Sequence, residues 1–505
     1  AFVDPDGDPL ILSVTQGDGS ALPAWLNFDA ATRTFSGTPP AGSVGELTLT
    51  VTASDTHAAE VSQQFRLLVS SANVQTGTDG SDVLVAPGGD IVLLGGLGDD
   101  QLLGALGNDT LIGGAGNDIL IAGGGARNTL YGGDGNDSLV ADSGDDFLDG
   151  GEGDNLIVAG GGNNTVNTGS GSDLIIASWG NDVINAGDGD NIITAGGGNN
   201  RITSGAGNDV VSADGNNWIA TGGGNDVVTT SLGKDTIAGG TGDDLIMAGG
   251  GNDDLDGGAG NDILQGGAGD DRLIDTSGAN LLDGADGNDV LLGGSGNEVL
   301  IGGKGNDRLE TGGGHDVLLF NRGDGQDTVV AAADGNLTLS LGTGIAYGSL
   351  TLGKANDNLV LSLGNGDQIT FQDWYAATPV RTLNNLQVLA EAMADFNAGG
   401  NDPLKDQKVE NFDFASLVGA FDAARAATPG LTSWALTNAL ANFQLAGSDT
   451  AATGGDLAYQ YGKNGTLAGI GLSATQDVLA GADFASQAQM LRPLAALQGS
   501  EVRLS

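Results

Sequence analysis

Aspartates recur at a fixed spacing through the centre of the chain, and they are the residues best able to do chemistry. Aligned on its glycines, the stretch from Gly95 to Leu319 divides into 25 nine-residue units, of which one has an extra residue and one is a residue short. The sixth residue is Asp in 17 units, and a preceding unit at Gly77 adds Asp82. The candidate metal ligands are Asp82, Asp100, Asp109, Asp118, Asp137, Asp146, Asp173, Asp182, Asp209, Asp226, Asp235, Asp244, Asp253, Asp262, Asp271, Asp289, Asp307 and Asp316.

Stacked carboxylates of this kind favour a hard divalent cation. If the units stack at the strand spacing of ~4.8 Å, their carboxylates repel one another. Ca²⁺ removes that repulsion and accepts carboxylate and carbonyl oxygens at ~2.3–2.6 Å, whereas Mg²⁺ demands a tighter octahedron. Transition metals prefer His or Cys, which these units almost lack. The spacing therefore predicts multiple Ca²⁺ ions, on the order of 10–20.

Asparagine replaces aspartate at the sixth position of seven units, and Glu298 occupies one more. Asn offers an oxygen without a charge. Five of the seven fall between residues 155 and 217, where we expect weak or absent calcium and a hydrogen-bonded Asn ladder. Calcium should concentrate at Asp100–Asp146 and Asp226–Asp316. The seven are Asn128, Asn155, Asn164, Asn191, Asn200, Asn217 and Asn280.

The elements that position these side chains follow from the rest of the unit. Positions one to six predict a turn, because their glycines allow positive φ and close stacking of backbones. Positions seven to nine predict a short strand such as Val290-Leu291-Leu292, whose eighth residue points inward. Two units then form one coil, with a thin aliphatic core between two parallel sheets. The fold class is mostly β: a parallel β-roll, or solenoid, of nonapeptide repeats at residues 77–330.

The pattern G-G-x-G-x-D-x-U-x, as in Gly113-Gly114-Ala115-Gly116-Asn117-Asp118-Ile119-Leu120-Ile121, resembles the calcium-binding repeat of RTX, or haemolysin-type, proteins. The resemblance implies export by type I secretion machinery, in which the chain leaves a low-calcium cytosol unfolded and folds on Ca²⁺ outside.

Composition and charge argue against a mostly helical fold, a nucleic-acid partner and a transmembrane segment. Gly makes up 92 of 505 residues, too many for a mostly helical chain. Between Gly77 and Leu319 there are 39 acidic and 6 basic residues, out of a net charge of −48 for the whole chain. A phosphate backbone would be repelled, so we expect no nucleic-acid partner. There is no Cys and no apolar run long enough for a transmembrane segment.

Residues 1–72 predict a small β-sandwich. Alternation is clear in Leu47–Thr52 and Phe65–Val69. The stretch from Phe2 to Leu10, with Leu22–Leu26 and Thr34–Pro39, resembles dystroglycan-type cadherin-like, Ig-like domains. The resemblance implies that Asp4, Asp6, Asp8 and Asp55 could hold calcium, although a solvated acidic turn explains them equally well. The family normally has one strand before this point, and it is absent here. Either that strand was cut off or another chain fills its edge, since an unpaired sheet edge favours strand addition.

Two regions follow the repeats. Asn321–Val329 closes them, and residues 331–381 form a strand series ending in Trp374-Tyr375 that resembles the haemolysin-type calcium-binding-related domain and would cap the roll. Residues 382–505 predict a helical secretion or assembly region resembling the C-terminal part of type I secretion substrates. The predicted helices are Leu386–Phe396, Phe414–Arg425, Leu431–Leu445 and one opened by a capping box at Ser473-Ala474-Thr475-Gln476.

No catalytic constellation is visible, so we expect a protein that is not an enzyme. H-E-x-x-H and G-x-S-x-G are absent, and the only histidines are His57 and His315. The leading hypothesis is a secreted or bacterial cell-surface structural or adhesive protein that binds calcium, with self-association into a filament or surface layer, or a cell-surface or matrix partner. The alternative is the C-terminal RTX portion of a larger secreted enzyme or toxin with a catalytic domain upstream of Ala1.

Overall fold

A computed structural model describes residues 10–30, 33–37, 45–54, 60–69, 73–482, 484–499 and 502–504. Half of the chain is strand, and the dominant feature is a parallel β-solenoid of about 15 turns. The predicted fold class is confirmed. The candidate ligands Asp4, Asp6, Asp8 and Asp55 lie outside the described residues. No helix in the described part of the chain is long and apolar enough to span a membrane.

The described part of the N-terminal region contains five antiparallel strands in two sheets. One sheet has the order β1–β4–β5, and the other is the hairpin of β2 and β3. The strands Leu47–Thr52 and Phe65–Val69 predicted by alternation lie within β4 and β5. The bounds are β1 Ile11–Gln16, β2 Leu26–Asp29, β3 Thr34–Gly37, β4 Gly45–Ser54 and β5 Glu60–Val69.

In the solenoid, each strand from β6 to β30 pairs in parallel with the strand after next, β31 pairs with β32, and β32 pairs with β33. The solenoid has 28 strands, most of them short. They are β6 Asn73–Thr76, β7 Val83–Val85, β8 Ile91–Leu97, β9 Gln101–Leu106, β10 Thr110–Ala115, β11 Ile119–Gly124, β12 Thr129–Asp134, β13 Ser138–Val140, β14 Phe147–Glu152, β15 Leu156–Gly160, β16 Thr165–Asn167, β17 Leu174–Ala177, β18 Val183–Asn185, β19 Ile192–Gly198, β20 Arg201–Thr203, β21 Val210–Gly215, β22 Trp218–Gly223, β23 Val227–Thr230, β24 Thr236–Thr241, β25 Leu245–Met247, β26 Asp254–Ala259, β27 Ile263–Ala268, β28 Arg272–Ile274, β29 Leu281–Asp286, β30 Val290–Leu292, β31 Val299–Ile301, β32 Arg308–Phe320 and β33 Gln326–Leu341.

The eighth residue of each unit forms the core, as predicted. Leu102, Leu120, Ile175 and Leu291 are fully buried, and equivalent residues stack directly above one another along each sheet. The two irregular units preserve this register. The coil with the extra residue is one residue longer than usual, and Thr110 still pairs with Thr129 across it. The coil with the short unit is one residue shorter, and Arg201 pairs with Trp218 across it. The apolar eighth residue therefore sets the register, and the turns absorb the length changes.

The predicted β cap is present. Strands β34 Thr351–Ala355, β35 Asn358–Gly364 and β36 Asp367–Phe371 form an antiparallel meander, and β36 also pairs with the start of β33. Helix α1 Phe414–Ala427 closes this end by packing Phe414 against Phe371 and Trp374. It matches the predicted helix Phe414–Arg425, and Asp413 caps it by accepting from the Ser416 N–H at 2.9 Å.

Two other predicted helices are wrong. Leu386–Phe396 contains strand β37 Leu383–Val388, which pairs in parallel with β33, followed by a 3₁₀ turn Ala390–Ala392. Leu431–Leu445 contains β39 Ser433–Ala435, a 3₁₀ turn Leu440–Asn442 and the start of β40 Gln444–Ser448; β40 pairs with β38 Val409–Asp413. The local preference for helix is overridden because these segments satisfy the open edges of the cap sheet.

The described residues from Ala451 onwards form a small module around two helices. These are α2 Gly455–Asn464 and α3 Leu472–Leu479, accompanied by α4 Leu494–Leu497 and the hairpin β41 Ala451–Thr453 with β42 Ala488–Met490. The predicted capping box is wrong, because α3 starts at Leu472 and its N-cap Gly471 makes no side-chain bond. Helix α2 was not predicted, because glycines bound it at both ends.

Candidate metal centre

The turns hold the sixth-position side chains in one repeated arrangement. One carboxylate oxygen, Oδ1, accepts a hydrogen bond from the backbone N–H of the sixth residue in the previous turn on the same side. Asp118 accepts in this way from Asp100 at 2.7 Å, and Asp262 accepts from Asp244 at 2.8 Å. The aspartates are almost fully buried by this stacking. One oxygen of each carboxylate is thus used to fix the turn.

The second carboxylate oxygen, Oδ2, is buried and accepts no hydrogen bond within the described residues. This holds for every predicted ligand except Asp82: Asp100, Asp109, Asp118, Asp137, Asp146, Asp173, Asp182, Asp209, Asp226, Asp235, Asp244, Asp253, Asp262, Asp271, Asp289, Asp307 and Asp316. A buried carboxylate oxygen without a partner is costly, and such charges in proteins are paired or coordinate metals.

Carbonyl oxygens converge on the same space. An ideal β-carbon on Gly95 would lie 2.3 Å from Oδ2 of Asp100 and 2.6 Å from the carbonyl of Gly113 in the next turn. The two oxygens are thus at most about 5 Å apart, a gap that one Ca²⁺ with ligands at ~2.3–2.6 Å spans. Asp244 and the carbonyl of Gly257 repeat the geometry around Gly239. The donor set fits calcium.

The electrostatics of the turns agree with this assignment. Burial raises the pKa of Asp137 to about 7 and the pKa values of Asp244 and Asp289 to about 8, and neighbouring aspartates add to the shift. Hydrogen bonds from backbone N–H groups oppose it. The turns therefore need either protons or a cation at neutral pH.

Asparagine satisfies the same position without an ion. The side-chain nitrogen of Asn155 donates to the carbonyl of Gly153 at 2.9 Å, and Asn191 donates to Gly189 at 2.9 Å. Asn164, Asn200 and Asn217 also donate to turn carbonyls. Of the predicted Asn ladder between residues 155 and 217, the structure shows one side-chain step, from Asn200 to Asn217 at 3.0 Å, whereas Asn155, Asn164 and Asn191 stack next to aspartates. In these turns an N–H group faces the carbonyls that would otherwise face a cation.

Asp82 departs from the pattern. It lies at the start of the roll, is only half-buried, and its Oδ2 accepts from the backbone and the hydroxyl of Thr78 at 2.6 and 2.8 Å. These bonds lower its pKa. Its second oxygen is therefore already satisfied without a metal.

Three acidic residues outside the predicted ligand set join the site. Oδ2 of Asp275 reaches into the turn of Asp262, Glu298 faces Asp316, and Asp327 faces Asp307; all three have unpartnered buried oxygens. Burial and the facing carboxylate raise the pKa of Asp275 to about 9. Asp327 could have been recognised, because it is the sixth residue of a degenerate unit starting at Arg322. Asp275 could not, because it occupies a first position.

Side chains alone do not complete a site. Within the described residues, no three His, Cys, Asp or Glu side chains come together as a metal cluster. Backbone carbonyls or water must therefore supply further ligands, and Ca²⁺ accepts both.

A parallel β-roll with acidic, carbonyl-lined turns defines a class of calcium-dependent repeat proteins. The family model for the RTX calcium-binding nonapeptide repeat matches in ten overlapping stretches that together cover residues 76–329, half of the chain. The chain therefore belongs to this family and binds multiple Ca²⁺ ions. A putative Ig domain model matches residues 1–70.

Comparisons with individual proteins give no further information on the function of the chain. No curated protein matches the chain. Among solved structures, the extracellular lipase LipA from Serratia marcescens matches with 19% identity and a TM-score of 0.19, over 40% of this chain and 42% of the lipase chain. A TM-score this low carries no structural argument.

Proposed function

We propose that the chain is a secreted structural or adhesive protein whose roll folds when it binds calcium outside the cell. The observation that carries the proposal is the row of buried, unpartnered carboxylate oxygens facing turn carbonyls. Without cations these charges destabilise the compact state, whereas extracellular calcium neutralises them. Membership of the RTX family supports export by type I machinery.

Circular dichroism of the full chain tests this proposal. The β-sheet signal should fall when calcium is removed and return when calcium is added. A matched variant replaces Asp271, Asp289 and Asp307 with Asn, the residue the central turns already use. It should need less calcium to fold. A full β-sheet signal in calcium-free buffer, unchanged by calcium, would contradict the proposal.

A second observation favours self-association through one face of the roll. The outward residues of the sheet that runs from β7 to β32, here called the first face, include a single charged residue, the buried Asp283. The opposite sheet, here called the second face, carries seven: Asp149, Arg201, Asp254, Asp256, Arg272, Arg308 and Glu310. An uncharged face is unexpected in a chain of net charge −48.

The C-terminal module already uses half of the first face. Leu245, Ile263, Leu281, Val299 and Val317 are fully buried beneath it, against Leu457, Leu479 and Phe484 among others. The same ladder continues towards the N-terminus as far as Leu156, where Ser138 interrupts it, and this part of the ladder is exposed. Leu156 and Leu174 are each 38% exposed, Val210 is 44% exposed and Ile192 51%.

The occupant we propose for the exposed half is a second copy of this chain. Two strongly acidic copies repel elsewhere, but they can approach along the uncharged face, and a twofold axis makes that face self-complementary. In calcium, the protein should sediment as a dimer or larger species. Ile192→Asp should shift it to the monomer, whereas Val183→Asp on the second face should not. A wild-type protein that stays monomeric at high concentration, or equal loss in both variants, would overturn this proposal.

A further inference from the structure

The first residue of the aspartate units is Gly, a residue with a hydroxyl group, or Ala at Ala141, Ala177 and Ala248. The glycine turns and the hydroxyl turns differ in what fills the space beside the carboxylate. Where the first residue is Gly, as at Gly95 or Gly239, the unpartnered Oδ2 and the carbonyl of the next turn face each other across the space a β-carbon would fill. The aspartate units with Gly in first position lie at the two ends of the roll: Gly77, Gly95, Gly104, Gly113, Gly132, Gly239, Gly257, Gly266, Gly284 and Gly302.

In the centre of the roll, hydroxyl side chains occupy this space. Thr221 donates to the carbonyl of Gly239 at 2.8 Å, and Thr230 donates to that of Ala248 at 2.8 Å. Thr168 and Ser204 make the same bond to the carbonyls of Ala186 and Thr221. In each case the acceptor is the first-position carbonyl of the next turn, the one that flanks the carboxylate in the glycine turns.

The same hydroxyls lie against the aspartate of their own unit. Contact with Thr221 lowers the pKa of Asp226 against the rise caused by burial, and Thr230 acts likewise on Asp235. The hydroxyl thus stands between the carboxyl and the carbonyl that a cation would bridge. The hydroxyl therefore satisfies the carbonyl and fills the space in which a cation would contact both groups.

We propose that Thr168, Ser204, Thr221 and Thr230 are built-in replacements for calcium, so that Asp173, Asp209, Asp226 and Asp235 do not bind it. The inference rests on the proposed calcium function of the glycine turns and restricts it. The expectation from the sixth residue alone placed calcium at Asp226 and Asp235. The hydroxyl residue in first position excludes calcium from both. The segment without calcium then extends from the Asn-rich stretch to residue 235.

Counting bound calcium on the full chain by equilibrium dialysis tests the inference. The triple variant Thr168→Gly, Thr221→Gly and Thr230→Gly should gain about one ion per opened turn. Thr221→Val keeps the bulk without the hydroxyl and should gain none. The matched control Thr236→Gly removes an exposed Thr from the same coil region and should also gain none.

The opposite substitution, from Gly to Thr, gives a second test that does not depend on whether the triple variant folds. Gly239→Thr closes the turn of Asp244 and should lose one ion. The φ angle of Gly239 is not positive, so the backbone allows Thr, but the turn must widen because an added β-carbon would lie 2.7 Å from the Gly257 carbonyl. If neither direction changes the number of ions while the wild type binds calcium, this inference fails and the proposed function stands. If the wild type binds no calcium, the proposed function itself fails.

Discussion

Each turn aspartate divides its two carboxylate oxygens between two tasks. Oδ1 accepts a backbone hydrogen bond and fixes the turn, whereas Oδ2 faces carbonyls and needs a positive partner. Asn performs the first task equally well and the second with an N–H group in place of an ion. The choice between Asp and Asn therefore decides the need for calcium more than it decides the shape of the turn.

A pH dependence follows from these side chains. The folded-state pKa values of Asp137, Asp244 and Asp289, about 7 to 8, lie above their ordinary value of 3.8. A raised carboxyl pKa contributes stability that is present at low pH and is lost as pH rises through the folded-state value. Calcium-free protein should therefore melt at a higher temperature at pH 5 than at pH 8.5.

Thermal unfolding of protein freed of calcium by dialysis measures this. Added calcium should abolish the difference in melting temperature between the two pH values, because it replaces the proton at high pH. A variant with Asn in place of Asp137, Asp244 and Asp289 should show a smaller difference. A melting temperature that rises with pH in the absence of calcium would contradict the proton-for-calcium exchange.

At the scale of elements, the C-terminal module acts as a lid on the first face. Tyr461 donates to Asp324 at 3.3 Å, and Asn297 in a turn donates to the carbonyl of Phe484 at 3.1 Å. Inside the module, the buried carboxylate of Asp456 pairs with Arg492 at 2.6 Å. These polar contacts fix the orientation of an interface whose area is otherwise aliphatic.

A substitution at Leu457 tests how much that interface contributes to the free energy of unfolding. Leu457 lies in helix α2 of the module and is fully buried in the cluster that includes the first-face residues, so Leu457→Ala should lower the free energy of unfolding by about 2–5 kcal/mol. Leu445→Ala, at a side chain that is 61% exposed, is the control and should change it by no more than ~0.5 kcal/mol. Chemical denaturation in saturating calcium measures both variants. Equal effects would mean that the module contributes no stability to the roll.

At the scale of the whole molecule, the roll has two glycine-rich, acidic ends and a centre held by Asn and hydroxyl groups. Calcium removal should therefore act unevenly along it. Hydrogen exchange of the calcium-free full chain should show fast exchange at Ile119–Gly124 and Ile263–Ala268 and retained protection at Ile192–Gly198. Uniform loss of protection along the roll would mean that the centre depends on calcium as much as the ends do.

Much of the fold was predictable because the repeat is strictly local. The nine-residue period, the inward eighth residue and the turn at positions one to six all follow from residues adjacent in sequence, and Leu120 and Asp118 lie where the period places them. The secondary structure after residue 382 was harder to predict from the sequence. There Leu386 and Leu440 belong to a strand and a 3₁₀ turn, because long-range pairing with β33 and the cap sheet outweighs local helix preference.

The sequence by itself determined the roll, its family and the identity of the turn carboxylates, because a repeat restates the same local physics in every unit. Only the tertiary structure decided which carboxylate oxygens lack a partner, since that depends on groups in the next turn, 18 residues away. It also decided that Asp275 joins the site, that Thr221 occupies the space of an ion, and that one uncharged face is half covered. Each of these is a contact between distant residues, which spacing along the chain does not encode.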